Sequence, residues 1–155
     1  MPPNPPICRR VTTRDEMIAC LEIRETVFQR EQSVDPAIEE DGRDGEAIHY
    51  IVEIDDRAMA TARARVLDDK IKIERVAVTK EARGQRIGEA LMRFMMENLA
   101  GEANGRPFFL SSQAQAVPFY ERLGFRVCSE EYFEAGIAHR DMRAEMASFR
   151  GRYCS

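Results

Sequence analysis

The spacing of apolar residues along the chain predicts an order of strands and helices. Runs of alternating or β-branched apolar residues predict strands, and apolar residues three to four positions apart predict helices. The predicted strands cover residues 7–11, 48–54, 58–67, 71–78, 107–111, 125–132 and 137–146. The predicted helices cover residues 14–30, 86–99 and 115–123, with a short helical turn near residues 36–40. Thr13 and Glu16 have the spacing of a capping box, which marks the start of the first helix.

The turns between these elements predict how the strands pair. Acidic pairs at residues 55–56 and 68–69 separate three consecutive strands, which favours an antiparallel meander. The strand, helix and strand over residues 71–111 instead predict a right-handed crossover between neighbouring parallel strands. The predicted fold is therefore α+β, with a mixed, mostly antiparallel central sheet and helices on both faces.

The composition is that of a soluble globular protein and argues against several other classes. The chain has 155 residues, of which 44% are hydrophobic and 32% are charged. We expect one domain over residues 7–147, a disordered proline-rich lead-in over residues 1–6 and a loose tail over residues 148–155. The net charge of −4 argues against a general nucleic-acid binder. No apolar run reaches the roughly 20 residues that span a bilayer, and the first ten residues lack a signal-peptide core, so we expect a cytoplasmic protein.

Cysteine and histidine give no indication of a metal or redox site. Cys8, Cys20, Cys128 and Cys154 are scattered and form no C-x-x-C pair, which predicts reduced, structural thiols. The two histidines lie far apart in the sequence, and structural zinc usually needs four ligands, so we expect no metal.

The stretch over residues 71–91 carries the strongest indication of function. The predicted strand over residues 71–78 leads into a glycine-containing turn over residues 82–88, and an amphipathic helix follows. The turn holds Arg83 and Arg86 and no acidic residue. The first N–H groups of a helix lack partners within it and lie at the positive end of its dipole, so this turn predicts a phosphate-binding site. The alternative is an ordinary strand-to-helix turn with solvated arginines.

Three motifs resemble those of the GNAT superfamily of acetyl-CoA-dependent N-acetyltransferases. They are Val-Ala-Val at residues 76–78, Arg-Gly-Gln-Arg-Ile-Gly at residues 83–88 and Phe-Tyr-Glu-Arg-Leu-Gly-Phe at residues 119–125. They occur in the order and at the separation that the family shows, and the predicted order of strands and helices also fits. Further matches, which include Asp41, Asp44 and the Gly-Ile-Ala-His sequence at residues 136–139, resemble the small ElaA/YjcF-like branch.

The resemblance implies an enzyme that uses acetyl-CoA as co-substrate and needs no metal. It implies that backbone N–H groups of the loop meet the pyrophosphate, and that the pantetheine arm lies between two splayed parallel strands. The implied cofactor-binding residues are Val76, Ala77, Val78, Arg83, Gly84, Gln85, Arg86, Ile87, Gly88 and Gln113. Two of these residues depart from the family pattern, since Arg86 stands where glycine is usual and Gln113 stands where many relatives have asparagine.

Acetyl transfer from a thioester to an amine sets the catalytic requirements. It needs close reactants, a neutral amine and a protonated leaving thiolate, but no covalent enzyme intermediate. The resemblance implies Tyr120 as the general acid, because a phenol with a pKa near 10 stays protonated at neutral pH. Glu74 is the candidate general base, and strand alternation places it on the side of the two cofactor-binding valines. The alternatives are a packing role for Tyr120 and a salt bridge from Glu74 to Arg63 or Arg65.

The predicted acceptor is a primary amine of a small molecule, such as an amino sugar, a polyamine or an amino-acid derivative. Phe28, Glu31 and His139 are the candidate substrate-binding residues. The acidic segment, which we define as residues 35–46, either attracts a cationic amine or forms a solvated loop.

Other functions remain open on the sequence alone. One alternative is acetylation of peptide or protein amines, and another is a non-catalytic module that binds or senses acyl-CoA. A P-loop nucleotide-binding protein is disfavoured because the loop lacks the Gly-Lys-Ser/Thr ending. We expect no nucleic-acid or membrane partner, and the resemblance adds a homodimer as a further expectation.

Overall fold

A computed structural model of the protein describes residues 4–145. Its strands are β1 (Ile7–Arg10), β2 (Ile48–Ile54), β3 (Arg57–Val66), β4 (Ile71–Val78), β5 (Phe108–Gln113), β6 (Arg126–Val127), β7 (Tyr132–Glu134) and β8 (Ile137–Ala144). Its α-helices are α1 (Arg14–Arg24), α2 (Pro36–Glu39), α3 (Ile87–Ala103) and α4 (Val117–Arg122). A π-helical segment, Glu25–Glu31, continues α1, and 3₁₀ turns cover Asp44–Glu46, Lys80–Ala82 and Ala114–Ala116. None of the described helices is long and apolar enough to cross a membrane.

The strands form a mixed sheet in the order β1-β2-β3-β4-β5-β8-β6, with β7 paired to β8. β4 and β5 are parallel neighbours, and their register runs from Ile71 opposite Phe108 to Ile73 opposite Leu110. The pairs β1–β2, β2–β3, β5–β8, β6–β8 and β7–β8 are antiparallel. Helices pack on the sheet, as α1 does on β2 and α4 does on β5. These findings confirm the predicted α+β class and the mixed sheet. They also confirm the predicted pair of parallel strands, β4 and β5, which α3 connects along the chain.

The described chain divides into two compact units. The first unit contains the residues up to Ala64 together with Arg75–Met95. The second unit contains Arg65–Glu74 together with the residues from Met96 onward. The predicted loose tail over residues 148–155, the end of the last predicted strand and the start of the predicted lead-in lie outside the described residues.

In the first unit, α1 begins at the capping box that the sequence predicts. The Glu16 amide donates to the Thr13 hydroxyl at 3.1 Å, and the Thr13 amide donates to the Glu16 carboxylate at 3.1 Å. The Thr12 amide and Arg9 also donate to this carboxylate, and these bonds hold the pKa of Glu16 at about 2.

The first helix differs from the prediction of one α-helix over residues 14–30. It ends as α1 at Arg24 and continues as the π-helical segment, in which the Gln32 amide bonds to the Val27 carbonyl at 3.2 Å. The wider turn was missed because the apolar spacing of so short a stretch does not separate the two helix types.

In the second unit, β8 lies between β5 and the two short strands. The predicted strand over residues 125–132 is wrong, because β6 and β7 are separate elements of two and three residues. Between them the Asp141 amide donates to the Ser129 hydroxyl at 2.8 Å. The Ser129 hydroxyl therefore takes the place of a backbone carbonyl as acceptor for β8, and the backbone pairing with β8 is interrupted between β6 and β7.

Candidate active site

The loop between β4 and α3 presents backbone N–H groups at the start of a long helix. The first bond within α3 runs from the Ala90 amide to the Arg86 carbonyl at 3.1 Å. The amides of Ile87 and Gly88 precede it and have no acceptor within the helix. Gly84 has φ +80, and a side chain added there would meet nothing within 4 Å, so the loop is open on that side. This geometry fits an anion better than a packed turn does.

Only one of the two loop arginines offers a free positive charge. The Arg83 guanidinium donates to the Glu31 carboxylate at 2.5 Å and to the Val78 carbonyl at 3.0 Å. Arg86 is exposed, and among the described residues its side chain has no hydrogen-bond or ion-pair partner. The predicted cradle with two available arginines is therefore corrected to a loop with one, and the turn is not free of acid because Glu31 reaches it.

Arg86 adopts the conformation for which the family usually has glycine. Its φ is +61, in the left-handed region that costs a residue with a Cβ atom about 1–2 kcal/mol. The arginine that departs from the family pattern therefore adopts a backbone conformation that is unfavourable for it. Gln85 stabilises the same turn, because its side-chain amide donates to the Glu81 carbonyl at 3.1 Å.

Glu74 forms the salt bridge that the alternative interpretation predicts. Its two carboxylate oxygens accept from Arg65 at 2.6 and 3.2 Å, and the Lys72 amine lies 3.4 Å away. The Glu74 side chain is only 8% exposed. A carboxylate whose oxygens already accept from a guanidinium has less capacity to take a proton from a substrate. Its role as general base stays a prediction, and this geometry weighs against it.

A break in β4 changes the direction of its side chains. Arg75 has φ +55, and such a residue interrupts the alternation of a strand. Arg63 and Arg65 are two positions apart in β3 and therefore share a face of the sheet. Arg65 binds Glu74, while Arg63 and Arg75 both bind Asp41. The side chains of the adjacent residues Glu74 and Arg75 thus lie on the same face.

The prediction that Glu74 shares a side with Val76 and Val78 is therefore wrong. Val76 follows Arg75 directly, so it and Val78 are directed to the opposite face. Ala77 returns to the face of Arg75 and is buried against α1 and the π-helical segment. The uninterrupted alternation that the prediction assumed does not hold at Arg75.

Tyr120 is a largely buried side chain of α4. Its ring packs edge-on against Phe119 and Phe125, with centroids 4.9 and 5.9 Å away. Burial raises the pKa of the Tyr120 phenol above its ordinary value. Among the described residues, its hydroxyl has no hydrogen-bond partner. Tyr120 therefore combines the predicted packing role with a protonated hydroxyl that is free to donate.

The remaining predicted site residues fall in both units. Phe28 packs against the buried cluster of Ile23, Val27 and Ala77. Glu31 lines an open groove of about 790 Å³ in the first unit, together with Glu22, Arg57, Lys80 and Glu81. Gln113 lies opposite His139 in the pairing of β5 with β8. The His139 Nδ1 atom lies 2.7 Å from the Ile137 carbonyl, and the ring stacks on Tyr132.

Most residues of the acidic segment are exposed, as the interpretation of a solvated loop predicts, but several of its acids form ion pairs. Three of its carboxylates bind three arginines, and we call these six residues the arginine network. The members are Arg24, Arg63, Arg75, Glu39, Asp41 and Asp44. The Arg24 and Arg63 side chains are each only 1% exposed. These three acids are thus not available to attract a cation, because they pair with guanidinium groups that are largely buried, whereas Asp35, Glu40 and Glu46 are exposed and lie outside the network.

Hydrogen bonds from arginines lower the pKa of two carboxyls of the network, those of Asp41 and Asp44. The Arg63 guanidinium beside Asp41 holds the pKa of that carboxyl well below its usual range. Burial alone would raise the pKa of Asp44, but hydrogen bonds from Arg24 and Arg63 lower it overall. Both acids therefore stay ionised.

One group of polar residues in the second unit was missed by the sequence analysis. Ser111, Tyr132 and Asp141 lie on three different strands and are joined by hydrogen bonds. The available signal was that Asp141 lies two positions after His139 in a predicted strand and so shares its face. Their meeting depends on strand register, which the sequence did not give.

Metal and disulfide chemistry have no visible basis in residues 4–145. Cys8, Cys20 and Cys128 are free thiols, and burial raises the pKa of each. Cys154 lies outside the described residues. No group of three potential metal ligands occurs in this part of the chain.

Comparison with known proteins decides the family. The model of the acetyltransferase (GNAT) domain matches residues 11–146. The chain belongs to the GNAT acetyltransferase family. It is therefore an acyltransferase enzyme, and the family's N-acetyltransferases use acetyl-CoA.

Individual relatives place this GNAT protein within the family. It is 37% identical to YjcF, an uncharacterized N-acetyltransferase of Bacillus subtilis, over 77% of this chain and 86% of that one. It is 33% identical to ElaA of Escherichia coli over 84% of this chain and 88% of that one. The crystal structure of E. coli ElaA superposes with a TM-score of 0.82, covering 90% of this chain and 99% of that chain. An acyl-CoA N-acyltransferase from Pseudomonas aeruginosa has a TM-score of 0.79 and 31% identity, covering 90% and 99%. The ElaA/YjcF-like branch is thus confirmed.

Proposed function

We propose that this protein transfers the acetyl group of acetyl-CoA to a primary amine of a small molecule by direct attack of the amine on the thioester. The loop geometry before α3 is the observation that carries this proposal, because it combines helix N-terminal amides with an open backbone. The family supplies the acetyl donor, and the acceptor and the residue roles are our inference.

The loop residues fit the phosphate groups of coenzyme A. The amides of Ile87 and Gly88 are free of helical acceptors and can donate to pyrophosphate oxygens. The exposed Arg86 guanidinium is available for a further phosphate. When bound, acetyl-CoA supplies the activated acyl group, and this chain holds and orients it.

Tyr120 is the proposed general acid of the transfer. The leaving thiolate needs a proton, and a phenol with a raised pKa keeps its proton over the whole neutral range. Because the hydroxyl has no partner in the described chain, it is available to a thiolate sulfur. We assign no general base, since the Glu74 carboxylate is held by Arg65 and a water molecule can take the proton of the amine instead.

Calorimetric titration tests the cofactor half of the proposal. Acetyl-CoA and desulfo-coenzyme A are expected to bind in the micromolar range, and ATP is expected not to bind. An Arg86→Gly variant serves as the control, because it keeps the backbone conformation and removes the side chain. If Arg86 binds the 3′-phosphate, this variant loses affinity for coenzyme A but not for dephospho-coenzyme A. Failure of every coenzyme A species to bind would overturn the proposal.

A Tyr120→Phe variant tests the acid. The change keeps the ring contacts with Phe119 and Phe125, so the thermal midpoint is expected to stay unchanged. We expect turnover to fall by about 10²-fold while acetyl-CoA affinity is preserved, since general acids typically contribute about that much. Release of free thiol measures the turnover. An unchanged rate would remove Tyr120 from the mechanism.

Location and assembly complete the proposal. We propose that the enzyme works in the cytoplasm and forms a homodimer, as the family resemblance implies. Sedimentation of the purified full-length chain tests the second point, and a single monomer-sized species would overturn it.

A further inference from the structure

Asp141 has an environment unlike that of the acids in the first unit. It lies in β8, in register opposite Ser111 of β5. Its Oδ1 atom accepts from the Ser111 hydroxyl at 2.9 Å and from the Tyr132 hydroxyl at 2.6 Å. The carboxylate is thus fixed in direction by two neutral donors on neighbouring strands.

The second oxygen of Asp141 is left for another partner. Within residues 4–145, Oδ2 has no hydrogen bond, and no lysine or arginine forms an ion pair with the carboxylate. Arg143 lies two positions along the same face, but its guanidinium donates to Glu145 instead. The Asp141 residue is partly buried, and a cation bound at Oδ2 would supply the counter-charge that the side chains around it do not. A carboxylate that is oriented but not neutralised has the properties of an incomplete cation site.

We propose that Asp141 binds an alkylammonium group of the acceptor, with Ser111 and Tyr132 holding the carboxylate in place. This inference rests on the proposed function, because it names the class of amine that the same enzyme takes. Oδ2 provides the charged acceptor atom. The Tyr132 ring, which stacks on His139 with centroids 6.0 Å apart, provides aromatic surface beside it.

The two hydroxyl groups keep their protons throughout the physiological pH range. Burial and the hydrogen bond to Asp141 raise the pKa of the Tyr132 phenol to about 12. Tyr132 therefore remains a donor to Asp141 and never becomes a competing anion. The carboxylate is left as the only negative group in this trio.

The chemistry of the transfer defines which nitrogen Asp141 binds. The nitrogen that attacks the thioester must be neutral, whereas a carboxylate favours a charged nitrogen. The group at Asp141 is therefore a second nitrogen that stays protonated. The acceptor class that follows is a diamine or polyamine, with one nitrogen acetylated and another held as a cation.

A binding experiment tests this site without relying on turnover. The labelled full-length protein, in the presence of coenzyme A, is titrated with 1,4-diaminobutane and with its neutral counterpart 1,4-butanediol. We expect the amide signals of Ser111, Tyr132 and Asp141 to shift in a saturable way with the diamine only. The shifts should weaken as salt is added, because the contact is ionic. Equal shifts with the diol would overturn the proposal.

Three variants separate charge from structure. Asp141→Asn keeps both hydroxyl contacts, because an amide oxygen accepts as the carboxylate oxygen does, and it is expected to weaken diamine binding at least tenfold. Asp141→Glu keeps the charge and should retain part of the binding. Glu131→Gln, which changes an exposed acid directly before Tyr132 of β7, is the matched control and should bind within twofold of the wild type. Wild-type affinity in Asp141→Asn would overturn the proposal.

Turnover distinguishes failure of this site from failure of the enzyme assignment. The ratio of kcat/KM for 1,4-diaminobutane to that for 4-aminobutanol should fall at least tenfold in Asp141→Asn, through KM of the diamine. An unchanged ratio in an active enzyme overturns the role of Asp141. If no amine is acetylated while diamine binding still depends on Asp141, the cation site stands and the proposed function falls.

Discussion

The acidic segment and Asp141 differ in the partners of their carboxylates. The segment is rich in acids, yet Glu39, Asp41 and Asp44 are neutralised by three arginines, two of them almost fully buried. Asp141 is isolated in the sequence, and within residues 4–145 its carboxylate accepts only from hydroxyl groups. The difference teaches that the density of acids along a chain does not measure the negative charge available to a ligand.

The physical reason is the burial of the arginines, since the Arg24 and Arg63 side chains are each only 1% exposed. A buried guanidinium without a carboxylate partner is unfavourable, and so is a buried carboxylate without a cationic partner. When the two pair, their opposite charges neutralise each other. The arginine network thus joins α1, the acidic segment, β3 and β4 within the first unit. We infer that these three acids serve to fix the conformation of the acidic segment.

The largest expected effect comes from removing an arginine of the network. Arg24→Met removes from Glu39 and Asp44 one partner whose side chain is only 1% exposed, and we expect the free energy of unfolding to fall by about 3–5 kcal/mol. Urea denaturation measures it. Arg30→Met is the matched control, because Arg30 pairs with Glu25 on the surface and its loss should cost at most about 0.5 kcal/mol. Equal losses in the two variants would mean that the network is no different from a surface pair.

A second effect is expected in the dependence of stability on pH. The Asp41 and Asp44 carboxyls have pKa values lowered by their arginines in the folded state. Their stabilisation is therefore complete above the unfolded-state pKa of about 3.9 and is lost as pH falls below it. Each such carboxyl steepens the fall by up to about 1.4 kcal/mol per pH unit.

Asp41→Asn is the variant that checks this pH dependence. Urea midpoints of the variant and the wild type, measured between pH 5 and pH 2 (roughly the range over which carboxyls titrate), should converge as the pH decreases. A constant difference over that range would show that Asp41 contributes nothing through its ionisation.

The smallest expected effect on stability comes from removing the charge of Asp141. Asp141→Asn keeps both hydroxyl contacts and removes a charge that no arginine or lysine in the described chain neutralises. We expect the free energy of unfolding to change by about 1 kcal/mol or less, while diamine binding is lost. A loss as large as that of Arg24→Met would assign Asp141 a structural role.

Much of the architecture could be predicted because it follows from local patterns. β2 and β4 have the predicted bounds, and the capping box of Thr13 and Glu16 begins α1 as expected. Apolar periodicity and helix caps are properties of neighbouring residues, so the sequence displays them directly. The loop motif before α3 was identified for the same reason.

The rest required contacts between distant residues. The break in β4 at Arg75 places Glu74 on the opposite side from Val76 and Val78. It coincides with hydrogen bonds from the Arg75 side chain to Glu39, which lies in the acidic segment far earlier in the chain. The split between β6 and β7 depends on Ser129 meeting the Asp141 amide. Neither event leaves a local pattern, because the partner that causes it is far away in the chain.

The sequence by itself determined the family, the order of most elements and the position of the loop that we propose to bind phosphate, since each follows from a contiguous motif. The tertiary structure decided which charges remain available. It paired Arg83 with Glu31, joined Glu74 to Arg65 and, in the part of the chain that the structure describes, gave the Asp141 carboxylate hydroxyl partners alone. An ionic interaction depends on distance and burial, and only strand register and loop packing set these quantities.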